Sequence, residues 1–576
     1  MRPLRQHPAA QRFHCFLIVR GHGVPAPAAA RDGVCTAFPA RLLSRAMPPR
    51  RELLRRGMAA IALTFAMAFA DAAAASPLQF LPVGDPLEAE LRVMDLYRLA
   101  PADERLRLPH TASRPFALNE LALPLAGGLG NLSPGARGIT RARLLREFSR
   151  DLVELRRGGE PHSTPRLLAR EYPGEERLEL SGGIEGAREF TRAAGANTSR
   201  WRDGSGVHTR LAAQSGPWLA YLHLFFGEQA GAHSVGDVLV SGHDVVASTQ
   251  ESYLAYSRGT QWSAQLGRSR WQWGPGEEGT LLLSGTSAPL TGLMLHARIA
   301  PLHADGYIFN ATVEPGRGEQ LAAHRLEWQP QGWARLGVSE TARYHAGGWQ
   351  GLYLAGVLPY AIVQRLLDQD AHGATDSLRN NIMLGFDASA CIADGTRLYG
   401  ELLLDDLHAH SAAFPNKYGF QTGIDGTGDV SGTRLSWNAE YTWLSRYVYT
   451  SYFGRVYSAQ DAPTGFPTGP DARRLRARVT WDPSADWQLS AIATRTNHGE
   501  GSLLTPFVPG QQVPDVGTLQ GVVERTRSLE GSLRYWPASG VDVSVRAGRV
   551  WTDAAAHVAG AGVRAWTAAL SVRLVR

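Results

Sequence analysis

From about residue 177 onward, apolar residues recur at every second position, and the positions between them are polar. In 474–481, Leu475, Ala477, Val479 and Trp481 alternate with Arg474, Arg476 and Arg478. An extended strand points successive side chains to opposite faces, so three arginines share one face. A dry core would desolvate those guanidinium groups at great cost, whereas a wet or plugged lumen accepts them with the other face in lipid. The pattern repeats in 566–574, where Trp566, Ala568, Leu570, Val572 and Leu574 oppose Thr567, Ala569, Ser571 and Arg573. It repeats again with Val541, Val543, Val545 and Ala547 against Asp542, Ser544 and Arg546, and with Leu529, Leu533 and Tyr535 against Glu530, Ser532 and Arg534. About 18 or 19 such segments fit the last 400 or so residues, and 18, being even, is the natural closure of a barrel. Between 380 and 460 the parity does not close, so at least one strand there is missed or merged. Short turns such as 482–486 and 537–540 contrast with gaps at 341–379, 457–471 and 498–523. Short turns on one side and long loops on the other belong to outer-membrane barrels. A soluble sandwich or propeller would also alternate, but strands of ~10 residues and arginine-lined faces weigh against it. No blade repeat is visible.

An export signal agrees with that class. Arg50-Arg51-Glu52-Leu53-Leu54-Arg55-Arg56 is a basic stretch, residues 57–70 are apolar, and Ala73-Ala74-Ala75 before Ser76 suits cleavage, with Ala68-Phe69-Ala70 as a second option. The apolar run is short for a membrane anchor. Met47 is a better start than Met1 for such a leader, which leaves 1–46 as a non-native or disordered extension. The net charge of +6 belongs to this region: residues 1–75 hold 11 of the 59 basic and 3 of the 53 acidic residues, leaving 48 and 50 for the rest. The exported chain therefore has no basic excess to attract nucleic acid. Cys391 is its one cysteine, so neither a disulfide framework nor a thiolate zinc site can form.

Residues 76–176 read differently. Asp85-Pro86 caps a helix with Leu87, Leu91, Met94 and Leu96 along it, ended by Pro101. A second helix is predicted from Thr140 to about Arg157, with Leu144, Phe148, Leu152 and Leu155 at helical spacing and Gly158-Gly159 beyond. A third, shorter helix is predicted over Thr164–Tyr172.

Several local motifs resemble the Wzi-type capsule assembly proteins of the Gram-negative outer membrane. They are Phe80-Leu81-Pro82-Val83-Gly84-Asp85-Pro86-Leu87 with Glu90-Leu91-Arg92, then Arg107-Leu108-Pro109, then Trp273-Gly274-Pro275-Gly276 with Leu281-Leu282-Leu283-Ser284 and Ala288-Pro289. Leu398-Tyr399-Gly400-Glu401-Leu402-Leu403-Leu404-Asp405-Asp406, Gly469-Pro470-Asp471-Ala472 with Arg474-Leu475, and Gly499-Glu500-Gly501-Ser502-Leu503 follow in order. The resemblance covers about 78–576. It implies an 18-stranded antiparallel outer-membrane β-barrel, all-β and transmembrane, plugged by an N-terminal α-helical bundle. It implies a non-enzymatic role in holding capsular polysaccharide, or another exopolysaccharide, at the cell surface. The chain then divides into the extension 1–46, a signal peptide 47–75, a helical plug 76–176 and the barrel 177–576. Its partners would be the polysaccharide, outer-membrane lipid and the barrel assembly machinery, with no cofactor. The C-terminal Arg576 departs from the aromatic residue that often ends such barrels.

Polysaccharide binders meet sugar C–H faces with aromatic rings and hydroxyls with polar side chains. Tyr344, Trp349, Tyr353, Tyr457 and Phe466 are the loop candidates, while Trp443, Tyr447, Tyr449 and Tyr452 suit a membrane-interface girdle. Glu401 and Asp405 share a strand face and are expected to pair, in the lumen, with Arg474, Arg476 and Arg478. A glycosidase carboxylate pair is a weaker reading of the same two acids. His408 and His410 beside Asp405 and Asp406 are too weak a pattern for a metal site. The rival function is a diffusion porin for sugars or other small solutes, which needs no helical segment ahead of its barrel. An outer-membrane enzyme is a third class.

Overall fold

The computed structural model describes residues 80–96, 112–117, 135–156, 168–172 and 176–575, apart from 194–195, 202–203, 229–236, 240–244, 259–260, 300–301, 315–317, 347, 369–379, 407–413, 453 and 460–461. The expected leader and extension lie outside the described residues.

Eighteen antiparallel strands close into one barrel. The first six are β1 Glu176–Ala193, β2 Gly206–Ser215, β3 Trp218–Glu228, β4 Val245–Arg258, β5 Trp262–Ser269 and β6 Leu290–Ile299. Then come β7 Ala304–Glu314, β8 Glu319–Gln331, β9 Ala334–His345, β10 Asn381–Ala393, β11 Thr396–Asp406 and β12 Lys417–Val430. The last six are β13 Thr433–Leu444, β14 Ala472–Asp482, β15 Trp487–His498, β16 Glu524–Ala538, β17 Val541–Asp553 and β18 Gly562–Val575. β18 returns to β1 with Val575 opposite Gly183 and Ala565 opposite Ala193, which closes the wall. Among the described residues no helix is long and apolar enough to cross a membrane.

Connections of two to four residues, such as 216–217, 394–395, 431–432 and 483–486, gather at one rim. The other rim carries 270–289, 346–380, 445–471 and 499–523. The unclosed parity at 380–460 resolves into four strands, β10 to β13. Among them β12, KYGFQTGIDGTGDV, has too many glycines to show an apolar period. Its Gly423 is required by packing, because a Cβ there would lie 2.3 Å from the Tyr399 ring.

The face assignment follows the alternation. Leu475, Val479, Trp481, Leu529, Leu533, Leu570 and Leu574 are exposed on the outer wall, and Arg476 is buried on the inner one. Two helices precede the barrel, α1 Leu87–Leu96 and α2 Ala136–Arg156. Asp85 caps α1, its Oδ1 accepting from the Leu87 N–H at 2.9 Å. The α1 stripe Leu87, Leu91, Met94 and Leu96 is buried. The third predicted helix is not formed where it is described: Leu168–Tyr172 is a strand, paired antiparallel with Glu176–Leu180. The reason is tertiary. β18 pairs β1 only from Gly183 onward, so the start of β1 has a free edge that this segment takes.

Candidate functional site

The barrel's own chain enters the lumen from the loop side. The segment 270–289 turns inward, and Trp271, Trp273, Leu281, Leu282 and Leu283 pack there against Phe309, Met383, Leu403, Tyr449, Tyr457 and Phe466. Two carboxylates hold this layer through backbone amides. Glu401 accepts from the Gly276 N–H at 3.0 Å and the Leu281 N–H at 2.8 Å. Asp405 accepts from the Tyr449 N–H at 2.7 Å. Tyr449 and Tyr457 donate their hydroxyls to the Leu281 and Leu282 carbonyls at 2.5 and 2.8 Å. Gly274 is at φ +129°, and a Cβ there would sit 2.4 Å from Glu401 Oε1, so the carboxylate's approach requires glycine. Glu401→Leu should leave two buried N–H groups unpaired at roughly 1–3 kcal/mol each. Limited proteolysis of the folded protein should then cut within 270–289, with Glu401→Gln intermediate. A wild-type digest from the leucine variant would refute this anchoring.

Arg474, Arg476 and Arg478 do face the lumen, but their partners differ from those expected. Arg474 grips Glu278 with two bonds of 2.6 and 2.7 Å, Arg476 lies 3.3 Å from Glu278, and Arg478 pairs with Glu277. Burial raises the Glu277 carboxyl, yet Arg478, Arg92 and Arg476 outweigh it and hold the group below the usual carboxylate range. Glu401 and Asp405 cannot take this role. β11 and β14 are three strand spacings apart, about 14 Å at ~4.8 Å each, whereas the inward segment carries Glu277 and Glu278 across. Those two acids directly follow the Trp273–Gly276 motif, and that adjacency was the available signal.

The helices meet the wall through a second ionic set. Glu90 of α1 accepts from Arg434 Nη2 and from Arg143 Nη1 of α2, both at 2.8 Å. Asp482 accepts from Arg434 Nε at 2.7 Å and Arg143 Nη2 at 2.9 Å. Asp95 takes Arg335 at 2.6 Å and Arg397 at 3.2 Å. Glu147 of α2 accepts from Trp536 Nε1 at 3.1 Å and Ser539 Oγ at 2.8 Å. Periodicity gave no sign of these pairs, which join residues from about fifty to several hundred positions apart.

The aromatic candidates are redistributed. Tyr457 and Phe466 belong to the lumen layer and are fully buried. Tyr344 and Tyr353 are also buried, stacked at 4.3 Å between ring centroids, on the outer side of the wall. None of these four rings offers a face to a sugar, because each is packed against its own chain. Trp349 is partly exposed at the loop rim. Of the girdle residues, Tyr452 is exposed while Tyr449 is buried in the lumen layer. His408 and His410 lie outside the described residues, among which no group of three or more metal-ligating side chains gathers.

A family model described as capsule assembly protein Wzi matches residues 181–563. A comparison with curated protein sequences finds no match. Among solved structures, Wzi of Escherichia coli, described as an outer-membrane protein involved in group 1 capsule assembly and a carbohydrate-binding β-barrel, is 13% identical with a TM-score of 0.54, covering 86% of this chain and 99% of its own. The outer-membrane channel DcaP of Acinetobacter baumannii is 11% identical (71% and 100% covered, TM-score 0.36), and OccK8 (OprE) of Pseudomonas aeruginosa is 9% identical (69% and 98%, TM-score 0.38). The barrel fold points to the outer membrane, and the family match extends over most of its strands. This chain belongs to the Wzi capsule assembly family.

Proposed function

We propose that this barrel binds capsular or other exopolysaccharide at its loop rim and anchors it to the cell surface, without catalysing a reaction on it. The observation that carries the reading is a packed layer inside the barrel, formed by Trp271, Trp273, Leu281–Leu283, Tyr449, Tyr457 and Phe466. In this reading the layer narrows the path a diffusing solute would need. Helices α1 and α2, bound to Arg434 and Asp482, plug the turn side in this reading. Both carboxylates that could have served a glycosidase are engaged by backbone amides. Of the five aromatic candidates, Trp349 is the one placed to meet a sugar ring. Export through a leader ending near Ser76, insertion by the barrel assembly machinery and contact with outer-membrane lipid complete the picture.

The test compares surface-bound with released polysaccharide in a strain lacking the protein. Deletion should shift polymer from the cells to the medium, and the purified protein should show little single-channel conductance in planar bilayers. A large, steady conductance together with unchanged surface polymer would favour the porin.

A further inference from the structure

Residues 346–380 join β9 to β10 and contain α3 Gly351–Ala355 and α4 Tyr360–Asp368. The register shows which side of the wall they cover. Phe309 packs on Trp271, and Arg325 bonds Ser339 and Asp387, so the odd positions of β7, β8 and β9 face the lumen. Ile308, His324, Glu340, Ala342 and Tyr344 therefore face outward, on the same rows as Leu326 and Leu336, which are 51% and 42% exposed. Yet Ala342 and Tyr344 are buried, and so is Glu340. The helices bury them. Tyr360 N–H donates to Glu340 Oε2 at 2.8 Å, the Tyr360 and His324 rings lie 4.5 Å apart, and Gly356 rests on Ile308.

The depth of this cluster matters. Glu340 is four residues along β9 from Leu336. At ~3.3 Å per residue and a strand tilt near 40°, that is roughly 10 Å along the barrel axis, well inside an apolar band of about 25 Å. A His–Glu pair bare to hydrocarbon there would be costly, and the helices remove it from contact. Their own far side is apolar: Leu352, Leu358 and Leu366 are exposed, Val357 is 82% exposed and Ile362 48%. From Gly351 to Leu367 the sole charged residue is Arg365, whose long stem can carry its charge toward the interface.

We propose that α3 and α4 form a strap lying within the loop-side leaflet, its outer face in contact with lipid acyl chains. The face continues the lipid-facing rows of β8 and β9, and this continuity identifies hydrocarbon as its occupant. The strap thus replaces strand side chains as the lipid-facing surface over β7 to β9.

The experiment uses the full chain with Cys15→Ser, Cys35→Ser and Cys391→Ser, which removes its three native thiols, refolded into phosphatidylcholine vesicles and checked for folding by heat-modified gel mobility. A fluorophore is placed at Val357→Cys or Ile362→Cys, with Leu570→Cys as the lipid-facing reference and Leu504→Cys, 80% exposed in a rim loop, as the aqueous one. Labels at 357 and 362 should be quenched several-fold more by brominated lipid than the label at 504, and protected from iodide as the one at 570 is. Iodide quenching equal to that at 504 would overturn the proposal. So would a disulfide-linked dimer through Val357→Cys, which would make the occupant a second copy. The proposal rests on the outer-membrane barrel, and that premise has its own readout: a water-accessible label at 570 would disprove the barrel register rather than the strap. Should either variant fail to fold, Leu352→Cys reports on the same face.

Discussion

Glu90→Leu should release α1 and α2 from the barrel wall. The substitution leaves Arg143 and Arg434 sharing Asp482 alone, in surroundings where all four side chains are buried. Removing one partner from a buried ion pair costs about 3–5 kcal/mol, because the remaining charge has lost its compensation. Trypsin should then cut at Arg141 or Arg146 in folded protein, while the wild type resists. Glu90→Gln keeps the shape and should fall between them. The pH dependence has a definite sign. Burial raises the Glu90 carboxyl, but Arg434 and Arg143 outweigh it and hold the group far below the ordinary carboxylate range. A depressed folded-state value means that the stabilisation is present above the unfolded value of about 4.3 and is lost as pH falls below it. Protease resistance of α2 should therefore persist from neutral pH to about 4 and decline only in stronger acid. Equal digestion of wild type and Glu90→Leu at neutral pH would remove this network from any part in docking.

The second large effect separates the two faces of β18. Leu570 is exposed on the outer wall and pairs with Val545, while its neighbour Ser571 points inward beside Ser544. Leu570→Arg places a charge against hydrocarbon at roughly 2–4 kcal/mol near the midplane. Ser571→Arg sends the same group into a polar lumen. Folded yield in vesicles, read from heat-modified mobility, should drop sharply for the first and change little for the second. Comparable yields would contradict the register.

Much of the wall was legible because a barrel strand writes its environment into every second residue. The arginine run at 474–478 points to the lumen by alternation alone, and a count of 18 or 19 strands closes at the even number. β12 shows little period because glycines replace the side chains that would mark it, and three of them, Gly419, Gly423 and Gly426, admit Leu444, Tyr399 and Trp437. Leu168–Tyr172 was misread for a different reason: a free strand edge overrode a local pattern that suits a helix. Four of the five aromatic candidates are packed against their own chain, and Trp349 alone stays partly exposed. A long gap between strands says nothing about where its chain goes. Two such loops turn into the lumen, and a third folds back over the outer wall.

The sequence by itself determined the barrel class and, in the clearly alternating strands, which side chains face inward, since these depend on alternation between near neighbours. Only the tertiary structure decided the partners. Arg474 meets Glu278, Arg434 meets Glu90, and Glu401 meets the amides of Gly276 and Leu281. Each pair joins segments more than a hundred residues apart. What brings them together is closure of the wall around a lumen in which buried charges and amides must all find partners, a condition no local stretch of chain contains.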